Sequence, residues 1–144
     1  MRLVSYWSLN NTRKCQKKYS KTYSRNKIMK LKICGLSPTR DVKLCIDLKI
    51  NFLGFVFYEK SPRNINLRDI NILKKYKNKT SLFVAVCVNP GDDFMQKNIL
   101  GNFEYVQLHG SETVKRINEI KKMGIKTIKA IKIKEEKDIA LYKD

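Results

Sequence analysis

A chain of 144 residues can hold one domain with a real hydrophobic core, and 42% apolar residues exclude a disordered polymer. No run approaches the ~20 apolar residues of a membrane-spanning helix, so a soluble, non-membrane protein is expected. The formal charge is +18, and it is uneven: residues 1–30 carry nine Lys/Arg and no Asp or Glu, which leaves +9 on residues 31–144.

Such an excess can draw polyanions. No zinc-ligand spacing and no aromatic-and-basic recognition module accompanies it, so specific nucleic-acid binding is not expected. A solvated lysine surface, or a preference for a phosphorylated small molecule, accounts for the charge as well. The four cysteines, Cys15, Cys34, Cys45 and Cys87, form no Cys-x-x-Cys pair. They read as reduced thiols in a cytoplasmic protein with no metal site.

In chain order, residues 1–29 come first as a polar, basic stretch without clear periodicity, expected to be a disordered extension. Two origins stay open for it: an organelle transit peptide, or residues upstream of a natural start at Met29. The second is favoured, because lysine outnumbers arginine and the first regular element begins two residues after Met29. A single domain is then expected over residues 30–144. Short apolar runs at 31–36, 52–57, 82–88, 104–109 and 127–133 read as strands. Between them, 38–50, 66–78, 92–101, 111–124 and 135–142 read as helices. In 67–78, Leu67, Ile70, Leu73 and Tyr76 mark an apolar face. In 111–124, Val114, Ile117, Ile120 and Met123 do the same, with Ser111 placed as N-cap and Gly124 as terminator. Five strand–helix repeats of about 24 residues are the pattern of parallel βαβ units. No G-x-G-x-x-G follows the first strand, which argues against a dinucleotide-binding sheet.

In parallel α/β folds chemistry gathers at the carboxyl ends of the strands. Those ends hold Cys34-Gly35, then Lys60, Ser61 and Arg63, then Asn89-Pro90, then Gln107-Leu108-His109-Gly110, and Lys129 and Lys132 on the fifth strand. Taken singly, each has an ordinary explanation. A free cysteine is usually small, buried and inert, a loop arginine is usually solvated, and a lone histidine is usually structural. Asn89 suits the shaping of a loop better than contact with a ligand.

The motifs "KICGL", "GFVFYEKSPR", "VCVNP" and "VQLHG", in this order and spacing, resemble those of phosphoribosylanthranilate isomerase, over residues 30–144. The resemblance implies a (β/α)8 TIM barrel, here truncated to about five βα units, with no cofactor and no metal. It implies an Amadori rearrangement in tryptophan biosynthesis, from N-(5'-phosphoribosyl)anthranilate to 1-(2-carboxyphenylamino)-1-deoxyribulose 5-phosphate. It assigns Cys34 as general base, Arg63 to the anthranilate carboxylate, and Gln107 and His109 to the substrate pocket. The "KICG" and "QLHG" pair does not fit the neighbouring indole-glycerol-phosphate synthase family, which uses a catalytic lysine and glutamates.

The general acid and the phosphate-binding loops belong to later strands, and no residue up to Asp144 matches them. Five strands cannot close a cylinder, so open strand edges and an unpartnered interior are expected. From this follow weak or absent activity of the chain by itself, and a complementing carboxyl-terminal half-barrel as a partner. The alternative is a degenerate half-barrel that acts as a basic binding module without catalysis.

Overall fold

The computed structural model describes residues 3–6, 30–38, 40–77, 80–133 and 135. Six parallel strands make one sheet: β1 (Leu3–Tyr6), β2 (Lys30–Cys34), β3 (Phe52–Phe57), β4 (Leu82–Cys87), β5 (Tyr105–Leu108) and β6 (Lys126–Lys129). Helices α1 (Arg40–Asp47), α2 (Asp69–Lys74), α3 (Asp92–Phe94) and α4 (Val114–Lys122) follow β2 to β5 in turn, and α3 runs on as a π-helical segment, Met95–Ile99. The helical stretch expected at 135–142 lies outside the described residues, save for Glu135.

The strand order is sequential, β1-β2-β3-β4-β5-β6, with no reversal. A doubly wound sheet reverses at a switch point, whereas a barrel adds each strand beside the last. One core cluster carries the same message. Ile33, Leu53, Phe55, Phe83, Ala85 and Val106 on one face of the sheet pack against Val42, Cys45, Leu73, Met95 and Ile120 from the helices. All helices thus share one face, as in the wall of a barrel. The alternate residues Lys32, Phe52, Val56, Val84 and Val86 face the concave side, because side chains on a strand alternate. Edge-to-face ring contacts tie both layers: Phe55 with Phe83 at 5.2 Å on the helix side, and Phe52 with Tyr105 at 5.3 Å on the concave side.

Two expectations about the open barrel change. The first barrel strand, β2, is not a bare edge. Leu3–Tyr6, from the stretch expected to be disordered, pairs with it in parallel register, Val4 opposite Leu31 and Tyr6 opposite Ile33. The rest of the leader, including Cys15, lies outside the described residues. The concave layer is not bare either, since Phe52 and Val84 are fully buried.

Local signals shift by a residue or two. Thr113, not Ser111, caps α4: its hydroxyl accepts from the Arg116 amide at 3.2 Å. Gly124 does end that helix, with φ +88. Ile117 and Ile120 are buried, but Val114, the first residue of α4, is 51% exposed. Likewise Ile70 and Leu73 are buried whereas Leu67, in the turn before α2, is 47% exposed. The fifth barrel strand stops at Lys129, so Lys132 lies beyond it and is exposed.

Candidate active site

The carboxyl end of β2 poses a local problem of shape. Cys34 is the last strand residue, and the amides of Gly35 and Leu36 both donate to the Gly54 carbonyl, at 2.9 and 3.1 Å. That turn requires φ +79 at Gly35, a left-handed conformation that side chains disfavour. A Cβ there would also meet the Arg63 side chain, 2.6 Å from its Cδ. The glycine therefore serves two ends: it turns the chain, and it lets Arg63 lie across the backbone next to Cys34.

Gly54 performs a similar service one strand over. It pairs with Cys34 in the ladder. A Cβ on it would lie 2.9 Å from Lys32 Nζ and 3.0 Å from Cys34 Sγ. The missing side chain opens space on the concave face, and the ammonium and the thiol flank it. The result is a cavity of about 170 Å³ lined by Lys32, Cys34, Ser61, Arg63, Gln107 and His109 over a base of Val56 and Val86. Lys32 is buried, Cys34 and Gln107 are half-buried, and Arg63 and His109 are exposed at the rim. All four residues singled out in the sequence, Cys34, Arg63, Gln107 and His109, thus border one cavity.

A larger hollow, about 380 Å³, opens between the β3 and β4 ends and α3. Its lining is mostly apolar, including Phe57, Ile65, Leu67, Pro90 and Phe94, and Cys87 is its only thiol. Burial, and then the Glu112 carboxylate, push the Cys87 thiol up to about 12. Burial also pushes Cys45 up, to about 11, with Asp41 adding to it. Both are thiols held neutral, as expected for core cysteines. In a Cys15→Ser background, iodoacetamide near neutral pH should label Cys34 and leave Cys45 and Cys87 intact. Peptide mass mapping checks this, and early labelling of Cys87 would contradict it.

Beside the cavity lies a polar cluster whose centre, Glu112, the sequence reading missed. Lys129 Nζ, on β6, donates to Glu112 Oε2 and to the Gly110 carbonyl, each at 2.6 Å. Glu112 also accepts from the amides of Asn89, at 2.8 Å, and Gly110, at 3.1 Å. Asn89, at φ +46, accepts through Oδ1 from the Ser111 amide. A Cβ on Gly110 would strike Asn89 and Glu112. Burial raises the Glu112 carboxyl, but the Lys129 ammonium and the amide donors outweigh it, and the pKa lies below the ordinary 4.5. This lattice fixes the loop that carries His109. Among the described residues, no cluster of His, Cys, Asp and Glu could hold a metal ion, and no helix is long and apolar enough to cross a membrane.

The family model for N-(5'-phosphoribosyl)anthranilate isomerase matches residues 31–144. The chain belongs to the phosphoribosylanthranilate isomerase family. It is 36% identical over 112 residues to the isomerase of Caulobacter vibrioides, covering 75% of this chain and 51% of that protein. To the isomerase of Rhizobium meliloti it is 34% identical over 111 residues, covering 76% and 52%. The crystal structure of the Thermotoga maritima isomerase superposes with a TM-score of 0.72 at 28% identity, over 78% of this chain and 55% of that one. An isomerase crystallised with reduced 1-(o-carboxyphenylamino)-1-deoxyribulose 5-phosphate gives the same score and identity, over 78% and 58%. The chain spans about half the length of the curated relatives it matches.

One consequence of the β2 turn can be measured directly. Gly35→Ala forces a side chain into a left-handed position, at about 1–2 kcal/mol, and into the space Arg63 occupies. Urea unfolding should register the first effect. A changed rate of phenylglyoxal modification at Arg63 should register the second, and no change in either would count against the packing described.

Proposed function

We propose that this chain is the base-bearing half of a cytoplasmic phosphoribosylanthranilate isomerase of tryptophan biosynthesis. The substrate is N-(5'-phosphoribosyl)anthranilate and the product 1-(2-carboxyphenylamino)-1-deoxyribulose 5-phosphate. The observation that carries this reading is that Cys34 and Arg63 border the same cavity, with the arginine lying across Gly35.

The chemistry needs two proton transfers. A proton delivered to the ribose ring oxygen opens the ring and leaves a C1' iminium. The iminium makes the C2' proton acidic, and a base removes it to give the enolamine, which then becomes the ketone. Cys34, in its thiolate form, is the base: the C2'–H bond breaks, an S–H bond forms, and the electron pair moves to neutralise the iminium nitrogen. Arg63 holds the anthranilate carboxylate through a two-point hydrogen-bonded fork. Gln107 and His109 orient the sugar from the β5 side. The donor of the ring-opening proton and the groups that bind phosphate come from a complementing carboxyl-terminal half-barrel. No cofactor enters any of these steps.

The test is complementation. The purified chain, mixed with the carboxyl-terminal half of a relative, should consume phosphoribosylanthranilate, followed by its fluorescence, faster than either part does separately. A mixture no more active than its parts, with association of the two halves shown by sedimentation, would refute the proposal.

A further inference from the structure

Lys32 is a charged residue with 4% of its surface exposed. It lies two residues before Cys34 on β2, hence on the same concave face. Among the described residues no carboxylate pairs with it. Glu112 and Glu104 are held by other lysines: Glu112 by Lys129 at 2.6 Å and Glu104 by Lys77 at 3.0 Å. A buried ammonium without an anion is costly, and such a group is retained where a negative charge comes to it. The atoms nearest the space above Gly54 are Lys32 Nζ and Cys34 Sγ. Arg63, Tyr58 and His109 face the same cavity from the loops and from β5, nearer the rim.

We infer that Lys32 is a positioning residue whose ammonium pairs with the thiolate of Cys34, holding negative charge on the sulfur that takes the C2' proton. Gly54 leaves open the space that both groups border. The ammonium keeps its own proton throughout. It fixes the sulfur's direction, and it is left without a partner once the S–H bond has formed. The inference rests on the isomerase reading for its meaning, yet its signature is electrostatic and is read without turnover.

The test compares two alkylating agents at Cys34 in the 144-residue chain carrying Cys15→Ser: anionic iodoacetate and neutral iodoacetamide. The thiolate attacks both and displaces iodide from each, so their rate ratio cancels its abundance and reports the local charge. Lys32→Met should lower the iodoacetate-to-iodoacetamide ratio by about fivefold, the effect of one unit charge a few ångströms away under water-like screening. Lys32→Arg should keep the ratio near that of the parent, and Arg63→Ala should move it less than Lys32→Met does. Circular dichroism shows whether each variant is folded. If Lys32→Met is not, Lys32→Gln is read in its place. A folded, charge-neutral variant with an unchanged ratio overturns the inference. An inactive completed barrel would overturn the isomerase reading instead, and would leave this ratio as it is.

Discussion

Cys34→Ala is expected to lower turnover by about 10²–10⁴-fold in the chain paired with a carboxyl-terminal half-barrel, the usual range for one general base. KM should change little, because the thiol acts on a proton and not on the groups that hold the substrate. Cys34→Ser should fall by a similar factor, since a hydroxyl is far less acidic than a thiol and supplies almost no anion near neutral pH. Arg63→Ala should behave in the opposite way, chiefly raising KM. Loss of a charged hydrogen-bonded contact is worth about 1.5–3 kcal/mol, or roughly tenfold to a hundredfold. Steady-state kinetics of the three variants separates the two roles. A Cys34→Ala enzyme that retains most of its turnover would remove the thiol from the chemistry.

The second large effect is on stability. Glu112→Ala leaves the Lys129 ammonium, with only 11% of its side chain exposed, without its carboxylate. It also strips an acceptor from the amides of Asn89 and Gly110. Removing one partner of a buried ion pair costs about 3–5 kcal/mol, a large share of the roughly 5–15 kcal/mol that holds an ordinary domain folded. Replacing both partners by apolar residues, Glu112→Leu with Lys129→Met, should recover much of the loss, because no unpaired charge is left behind. Urea unfolding of the parent, the single variant and the double variant reads both effects. The same pair sets a pH dependence. The Glu112 carboxyl lies below the ordinary 4.5 in the folded state, so its contribution is complete above that value and is lost as pH falls through the lower, folded-state value. Acidification below about pH 4.5 should therefore destabilise the parent more steeply than Glu112→Gln.

The sheet was legible because its signal is strong. Runs such as 52–57 and 82–87 are buried on both faces, which makes them continuous apolar stretches that periodicity detects without ambiguity. The helix boundaries were less so. Ser111 and Thr113 are both good caps, and only the position of α4 against the sheet selects Thr113. Leu67 and Val114 fit the helical period yet stay exposed, because period alone does not say where a helix first touches its neighbour. Strand β1 was hidden by its surroundings: Leu3–Tyr6 is four residues long within a basic stretch, and its reason to be a strand is the free edge of β2.

The candidate site divides in the same way. Cys34, Arg63, Gln107 and His109 stood out because they sit in motifs at strand ends. Lys32 lies within the "KICGL" motif but, as the second lysine of β2 after Lys30, carried no role of its own, and Gly54, across the ladder from Cys34, gives it meaning only in three dimensions. Glu112 and Lys129 are 17 residues apart and meet because β5 and β6 are adjacent. No local pattern announces such a pair. It follows from strand order and register, which the sequence specifies only through the whole fold.

The convergence of thiol and guanidinium on one cavity is open to a direct measurement with a substrate fragment that this chain alone should recognise. An N-alkylated anthranilate carries the carboxylate and the amine but no phosphate. At saturating concentration it should slow iodoacetamide alkylation of Cys34 several-fold, about what occupation of a small shared cavity produces, and Arg63→Ala should abolish the protection. Alkylation of Cys34 at the same rate with and without the probe, or protection that survives Arg63→Ala, would mean that the two side chains do not serve one site.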